Sequence, residues 1–247
     1  MRRRKGLWIA LWLPVLLIAA FLVYTAVCYH ADGTAQTALR SSETLRVEQT
    51  EYGWFFDGPS EDTALVFYPG AKVEETAYAP FLRRLAEEGV DVFLLRVPFR
   101  LAFFSTERAA DVMARFDYAH WYVGGHSLGG AVAALFAASH GADLDGLILC
   151  AAYPTKPLDR GLTMISLCGS EDGVINRQKI EDGRRFAPEN STERVIEGGN
   201  HAQFGSYGEQ KGDGKASISA EEQWEEAVRI ITETVFADER NEEKPAA

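Results

Sequence analysis

Cysteine is scarce in this chain of 247 residues, which contains only Cys28, Cys150 and Cys168. Three cysteines are too few for a disulfide framework, and their spacing matches no zinc-binding pattern. Cys150 and Cys168 each end an apolar run typical of a core strand, so we expect both to be buried thiols. The sequence therefore argues against a disulfide-stapled domain and predicts no metal site.

Basic residues are scarce outside the N-terminus. The chain has 25 Lys and Arg against 36 Asp and Glu, a formal net charge of −11. The first 30 residues contribute four positive charges and no acid, so the remaining residues carry −15. Nucleic-acid binding needs clustered Lys and Arg, so we expect no nucleic-acid partner. The sequence also has no P-loop and no internal repeat, and nothing in it predicts a cofactor.

One apolar run is long enough to cross a membrane. Residues 7–28 contain no charged side chain, and a helix of this length, at about 1.5 Å per residue, spans a hydrocarbon core of roughly 30 Å. The basic cluster Arg2, Arg3, Arg4 and Lys5 precedes the run, and such clusters stay on the cytoplasmic side. The pattern predicts an uncleaved single-pass anchor in the cell membrane, with the body of the protein outside the cytoplasm. A cleaved signal peptide, which would leave a secreted protein, is the alternative.

The chain therefore divides into four predicted regions. Residues 1–30 form the anchor, and the small polar residues at 31–42 are typical of a linker. Residues 43–237 are enough for one α/β domain with a sizeable core. The acidic end, residues 238–247, predicts a flexible tail.

Strands and helices alternate through the predicted domain, after an antiparallel hairpin at 45–57. This order indicates a mostly parallel central sheet with helices on both faces. One of the helices, at 105–116, is expected to be capped by Ser105. Only about ten residues separate the strands at 144–151 and 163–168. We therefore expect no sizeable cap domain at that point.

The motif Gly125-His126-Ser127-Leu128-Gly129 lies between an apolar run at 121–123 and a helical run of small residues at 131–139. Gly-x-Ser-x-Gly between a strand and a helix is typical of a nucleophile elbow, a sharp turn that exposes the serine hydroxyl. Glycines on both sides give the turn the room that it needs. The motif predicts Ser127 as a catalytic nucleophile.

A carboxylate and a histidine follow the serine in the order that this arrangement requires. Asp172 lies in a loop after the apolar run at 163–168, and Glu171 beside it is the alternative acid. His201 is the histidine that comes after both the serine and the acid, in a loop that follows a late strand at 193–196. A histidine can take the serine proton and return it, while a carboxylate sets the imidazole tautomer. We therefore predict Ser127, Asp172 and His201 as catalytic residues.

An oxyanion formed on the substrate needs two hydrogen-bond donors. The backbone N–H of Leu128, directly after the nucleophile, is one candidate. The loop Pro69-Gly70-Ala71-Lys72 follows the third predicted strand. In proteins with a nucleophile elbow, the loop at this place supplies the second donor. We predict the N–H of Ala71 as the second donor.

Three segments together resemble a bacterial α/β-hydrolase family that is similar to dienelactone hydrolases. They are Tyr68-Pro69-Gly70-Ala71-Lys72-Val73, the motif around Ser127, and Gly198-Gly199-Asn200-His201-Ala202-Gln203-Phe204-Gly205. The resemblance covers about residues 45–236, and it implies the α/β-hydrolase fold and the roles of Ser127, Asp172 and His201. Dienelactone hydrolases use a cysteine nucleophile, whereas this chain has Ser127, which favours ordinary ester hydrolysis.

These residues and the resemblance predict a serine hydrolase that cleaves a small-molecule ester, or a related acyl bond, through an acyl-enzyme intermediate. A thioesterase or an acyltransferase would use the same residues. The alternative from a different functional class is a catalytically silent domain that binds ligands at the cell surface. The sequence does not indicate an oligomeric state.

The anchor makes a prediction about topology. Full-length protein should sediment with membranes, and protease added outside intact cells should cut the body, because the basic cluster retains the N-terminus in the cytoplasm. Cell fractionation and protease protection measure both. A mature N-terminus after residue 28 would show instead that the segment is a cleaved signal peptide.

Overall fold

The computed structural model of the chain describes residues 2–59 and 62–234, with side chains described from residue 12 onward. The expected tail at 238–247 and the side chains of Arg2, Arg3, Arg4 and Lys5 lie outside the described residues. All of the site residues predicted from the sequence lie within them.

A sheet of eight strands forms the centre of the fold, in the order β1-β2-β4-β3-β5-β6-β7-β8. β1 pairs with β2, and β2 with β4, in antiparallel fashion, while all the other neighbours are parallel. The predicted mostly parallel sheet is confirmed. The strands are β1 Arg46–Gln49, β2 Gly53–Asp57, β3 Thr63–Tyr68, β4 Asp91–Leu95, β5 His120–His126, β6 Gly146–Cys150, β7 Thr163–Gly169 and β8 Ser191–Ile196.

Seven α-helices accompany the sheet in the described residues. They are α1 Arg2–Ala26, α2 Gly33–Ala38, α3 Ala79–Glu87, α4 Arg108–Met113, α5 Leu128–His140, α6 Arg177–Gly183 and α7 Ala220–Thr234.

Side chains alternate between the faces of a strand, so each central strand contributes to two cores. On β3, Leu65 and Phe67 belong to the core that includes α3 and α7, and Ala64 and Val66 to the core that includes α4 and α5. Every residue of β3 is buried, as expected for a parallel strand covered on both faces.

The segment expected to be a linker contains a helix. The carboxylate of Asp32 accepts hydrogen bonds from the backbone N–H groups of Thr34 and Ala35, which caps the start of α2. Ala35 is fully buried, and α2 packs against α3. Residues 33–38 are therefore part of the folded body. Small residues in this segment permit close packing as readily as they permit flexibility.

The helix expected at 105–116 is shorter than predicted, and Ser105 does not cap it. Ser105 ends a 3₁₀ turn, and α4 begins at Arg108. The buried Tyr68 hydroxyl donates to the carbonyl of Thr106 and accepts from the N–H of Ala109. This tertiary contact satisfies the backbone groups that a local cap would otherwise serve.

The N-terminal helix α1 contains the apolar run of the sequence. Among the described residues, none of the helices has both the length and the apolar character that a membrane crossing requires. The expected span starts at residue 7, whereas side chains are described only from residue 12. The membrane anchor therefore stays a prediction.

No helix occurs between β6 and β7 in the described structure, which agrees with the expected lack of a sizeable cap. The space above the carboxyl end of the sheet is instead bordered by the segment after β4. This segment forms two 3₁₀ turns, Pro98–Arg100 and Ala102–Ser105. In open α/β sheets, ligands bind at this edge.

The start of α5 lies unusually close to the end of β3. A Cβ atom at Gly129 would lie 2.2 Å from the carbonyl oxygen of Tyr68 and 2.4 Å from that of Pro69. A Cβ atom at Gly125 would lie 2.6 Å from the carbonyl carbon of Gly129. Only glycine permits this approach, which brings the loop after β3 beside the serine turn.

Replacing Gly129 should therefore disrupt the packing of β3 against α5. Gly129→Ala is expected to lower the free energy of unfolding by about 2–4 kcal/mol, because the methyl group overlaps backbone atoms that cannot rotate away. Urea denaturation followed by tryptophan fluorescence measures the change.

Gly33→Ala is the matched control, since a Cβ atom there meets nothing within 4 Å. It should change the stability by less than about 1 kcal/mol. Equal midpoints for the two variants would show that α5 can move away from β3 at little cost.

Candidate active site

Ser127 occupies a strained turn between β5 and α5. Its backbone has φ 54° and ψ −121°, a conformation that non-glycine residues rarely adopt. Such conformations persist only where the surrounding structure enforces them, and they concentrate at functional sites. The turn holds Ser127 at the N-terminus of α5, where the first backbone N–H groups have no partner within the helix.

Asp172 and His201 form a buried hydrogen-bonded pair. Asp172 follows β7 and His201 follows β8, so neighbouring parallel strands bring the two loops together. Nδ1 of His201 lies 2.8 Å from Oδ2 of Asp172, and both side chains are almost fully buried. The other oxygen of Asp172 accepts from the backbone N–H groups of Val174 and Ile175 at 2.9 and 2.8 Å.

The hydrogen bonds to Asp172 keep its carboxylate ionised. Burial raises the pKa of Asp172, but the hydrogen bond and charge of His201, together with the two backbone donors, outweigh burial and lower the pKa below its usual value. An ionised Asp172 accepts a hydrogen bond from Nδ1–H of His201, which leaves Nε2 as the basic nitrogen. In the described structure this Nε2 is buried and has no hydrogen-bond partner.

Glu171 points elsewhere. Its carboxylate accepts from the hydroxyl of its neighbour Ser170 and is exposed to solvent. Of the two candidate acids that the sequence left open, only Asp172 contacts His201.

The two candidate oxyanion donors lie on opposite sides of the serine turn. Leu128 is the first residue of α5, directly after Ser127. The loop of Ala71 meets this turn because of the close approach at Gly129. In the loop, the N–H of Gly70 donates to the Tyr78 hydroxyl and that of Lys72 to the carbonyl of Arg100, whereas the N–H of Ala71 has no partner among the described residues.

Tyr78 and His126 support the loop after β3 through hydrogen bonds, a role that the sequence did not predict. The hydroxyl of Tyr78 lies 2.8 Å from Nδ1 of His126 and accepts the N–H of Gly70 at 3.0 Å. Burial raises the pKa of Tyr78, so its hydroxyl keeps a proton to donate to His126. Burial, and next the nearby His201, lower the pKa of His126 far below its usual value, so this ring stays neutral.

A neutral His126 matters because its ring centroid lies only 4.5 Å from that of His201. A second positive charge at this distance would oppose protonation of His201. The side chain beside the nucleophile thus supports the loop of Ala71 without competing for a proton.

Asp213 joins the loops that carry Asp172 and His201. One of its oxygens accepts from the N–H groups of Gly173 at 3.1 Å and His201 at 3.3 Å, and the other from Ala202 at 2.8 Å. Asp213 lies in the glycine-rich segment that follows His201 in the chain. An Asp-Gly pair is an ordinary turn signal, so no local pattern could have revealed this contact.

The described residues offer no obvious place for a metal ion. Within residues 2–59 and 62–234, no three His, Cys, Asp or Glu side chains converge as ligands would. Cys150 and Cys168 are free and buried, and burial raises the pKa of both thiols.

Comparison with known proteins agrees with this geometry. The model of the alpha/beta hydrolase family matches residues 64–225, which include all of β3 except Thr63 and all three predicted catalytic residues. No curated protein matches the chain significantly.

Two similar crystal structures are TT1662 from Thermus thermophilus and a predicted CIB-like hydrolase from Thermoplasma acidophilum. The first has 19% identity and a TM-score of 0.52, and the match covers 64% of this chain and 90% of that one. The second has 15% identity and a TM-score of 0.54, with 76% and 97% covered. At these identities the likeness shows a shared fold.

Asp213 should act as a positioning residue for the Asp172–His201 pair. Asp213→Asn is expected to lower kcat for p-nitrophenyl acetate by about 10- to 100-fold, because an amide NH2 would face backbone donors and displace the two loops. Steady-state kinetics measure the loss. Asp182→Asn is the control, since this α6 side chain is exposed and accepts only from Gln178. A wild-type kcat for Asp213→Asn would show that the loops hold their positions without this carboxylate.

Proposed function

Because the chain belongs to the alpha/beta hydrolase family, we propose that it is a serine hydrolase that cleaves an ester or related acyl bond through Ser127, His201 and Asp172. The observation that carries the proposal is the buried 2.8 Å hydrogen bond between Asp172 and His201. The His201 ring lies 4.5 Å from that of His126, the residue directly before a serine at positive φ. These are the three chemical roles of a Ser-His-Asp triad, in the chain order of this fold.

In the proposed reaction, Nε2 of His201 takes the proton of Ser127 as Oγ attacks the carbonyl carbon of the substrate. The N–H groups of Leu128 and Ala71 stabilise the resulting oxyanion. Collapse of this intermediate breaks the bond to the alcohol oxygen, which leaves with the proton from Nε2. The acyl group remains on Ser127.

Water completes the cycle. As it attacks the acyl-enzyme, Nε2 of His201 takes its proton, and the proton returns to Oγ of Ser127 when the acid leaves. Asp172 stabilises the imidazolium in both halves, while its own proton affinity stays low because of its three hydrogen-bond contacts. No step requires a metal or an organic cofactor.

We also propose that α1 anchors the enzyme in the cell membrane, with the body outside the cytoplasm. The proposal is supported by the basic cluster that precedes 22 uncharged residues, and by the side chains of α1. Leu13, Val15, Leu16, Leu17 and Ile18 are all exposed in the folded chain. A helix that is apolar on every side needs an apolar surrounding.

Ser127→Ala tests the chemistry. The variant should lose activity on p-nitrophenyl acetate by about 10³-fold or more and should no longer react with a fluorophosphonate probe, because both need the Oγ nucleophile. Mass spectrometry of the labelled wild-type protein should locate the adduct on Ser127.

Ser139→Ala is the matched control on the same helix, since its hydroxyl is exposed and donates only to the carbonyl of Leu135. It should keep wild-type activity. A wild-type protein that neither turns over esters nor reacts with the probe would favour the silent binding domain. Preferential turnover of a thioester, or acyl transfer to an added alcohol, would reassign the reaction while keeping the residues.

A further inference from the structure

Three exposed phenylalanines form a patch on the segment after β4. Phe99, Phe103 and Phe104 are 46%, 50% and 48% exposed, and their rings contact one another with centroids 4.3–5.6 Å apart. Large aromatic residues that remain half-exposed together mark an interaction site in a soluble environment. We call these three residues the aromatic patch.

The aromatic patch is continuous with α1. The ring of Phe21 lies 5.2 Å from that of Phe99 and 6.1 Å from that of Phe104. From this contact the exposed apolar surface continues along the helix through Leu22 and Ile18. The patch and the proposed anchor therefore form one surface.

The shape of this surface indicates what covers it. Val15, Leu16, Leu17 and Ile18 are consecutive and all exposed, and successive helical residues point about 100° apart. A protein groove covers one side of a helix, whereas these four side chains point to all sides. Lipid chains surround a helix completely, so a bilayer fits this surface better than a partner protein does.

The charges beside the aromatic patch also suit a lipid surface. Lys72 and Arg100 lie on one side of it, joined by a backbone hydrogen bond, and on another side Phe103 and Phe104 line a cavity with Glu107, Arg108 and Asp111. On the side of Lys72 and Arg100, cations beside exposed aromatic rings match the anionic headgroups and the apolar boundary of a bilayer.

This surface is attached directly to the proposed oxyanion loop. The N–H of Lys72 donates to the carbonyl of Arg100 at 2.9 Å, and the carbonyl of Lys72 accepts from the N–H of Tyr29, just after α1, at 2.7 Å. The ammonium group of Lys72 also lies 4.0 Å from the ring centroid of Tyr24. The residue after Ala71 thus contacts both α1 and the segment of the aromatic patch.

We propose that the aromatic patch docks on the bilayer beside α1, and that the enzyme takes amphiphilic esters held in that bilayer. This inference rests on the proposed serine hydrolase and its anchor, and names their substrate class. The scissile carbonyl would enter from the lipid boundary between α1 and the patch, where Ala71 lies.

A measurement of depth tests the docking without using activity. Full-length protein with Cys28→Ser and Phe103→Cys is labelled with a nitrobenzoxadiazole fluorophore and reconstituted in vesicles of phosphatidylcholine and phosphatidylglycerol. Lipids with a nitroxide on the acyl chain should quench this label. The same label at Val195→Cys, an exposed apolar position on β8, should stay unquenched.

Equal quenching at the two positions would overturn the proposal, as would a label at residue 103 that lipid does not quench. Cross-linking of Phe103→Cys between two copies, without quenching, would assign the patch to a self-interface and would also overturn it.

A second experiment tests the substrate class. The ratio of turnover of 4-methylumbelliferyl oleate dissolved in the vesicles to turnover of soluble p-nitrophenyl acetate is compared between variants. Phe103→Ser with Phe104→Ser should lower this ratio about tenfold, because a polar patch no longer holds the candidate active site against the lipid. Phe103→Leu with Phe104→Leu, which stays apolar, should retain the wild-type ratio, and Val195→Ser should retain it as well.

An unchanged ratio in the double serine variant would overturn the inference while leaving the proposed hydrolase intact. A wild-type protein that cleaves neither ester would instead refute the proposed function. The turnover of p-nitrophenyl acetate also reports whether each variant is folded.

Discussion

The close approach of α5 to the end of β3 is the constraint on which the site depends. Because Gly129 lies against the carbonyls of Tyr68 and Pro69, the serine turn and the loop of Ala71 must face each other. In the same loop the N–H of Gly70 donates to the hydroxyl of Tyr78, which in turn bonds to His126. A side chain at Gly129 would separate the proposed nucleophile from one of its oxyanion donors.

Electrostatic balance around His201 follows from how its neighbours are buried. Asp172 is buried but receives enough hydrogen bonds to remain ionised, whereas burial and the nearby His201 keep His126 neutral. The pair of histidines therefore has one member bonded to a carboxylate and one that supports the loop. Asp213 adds a second carboxylate, which acts on the backbone of the two loops.

The surroundings of the site consist of segments that are far apart in the chain. No helix is inserted between β6 and β7 in the described residues, and the end of α1 packs against the turns after β4. The backbone around Lys72 connects both to the proposed oxyanion loop. The proposed anchor and the proposed oxyanion loop are therefore in direct contact through Lys72.

The sequence by itself determined the class of the fold, the serine turn and the order of its partners. These depend on local patterns: apolar strands, glycines around Ser127 and a histidine after the last strand. Three features depended on the tertiary structure. They are the choice of Asp172 over Glu171 as the partner of His201, the contacts of Asp213 and Tyr78, and the helix in the expected linker. Each arises because strand order brings together residues that are distant in the chain, and periodicity along a chain carries no information about such contacts.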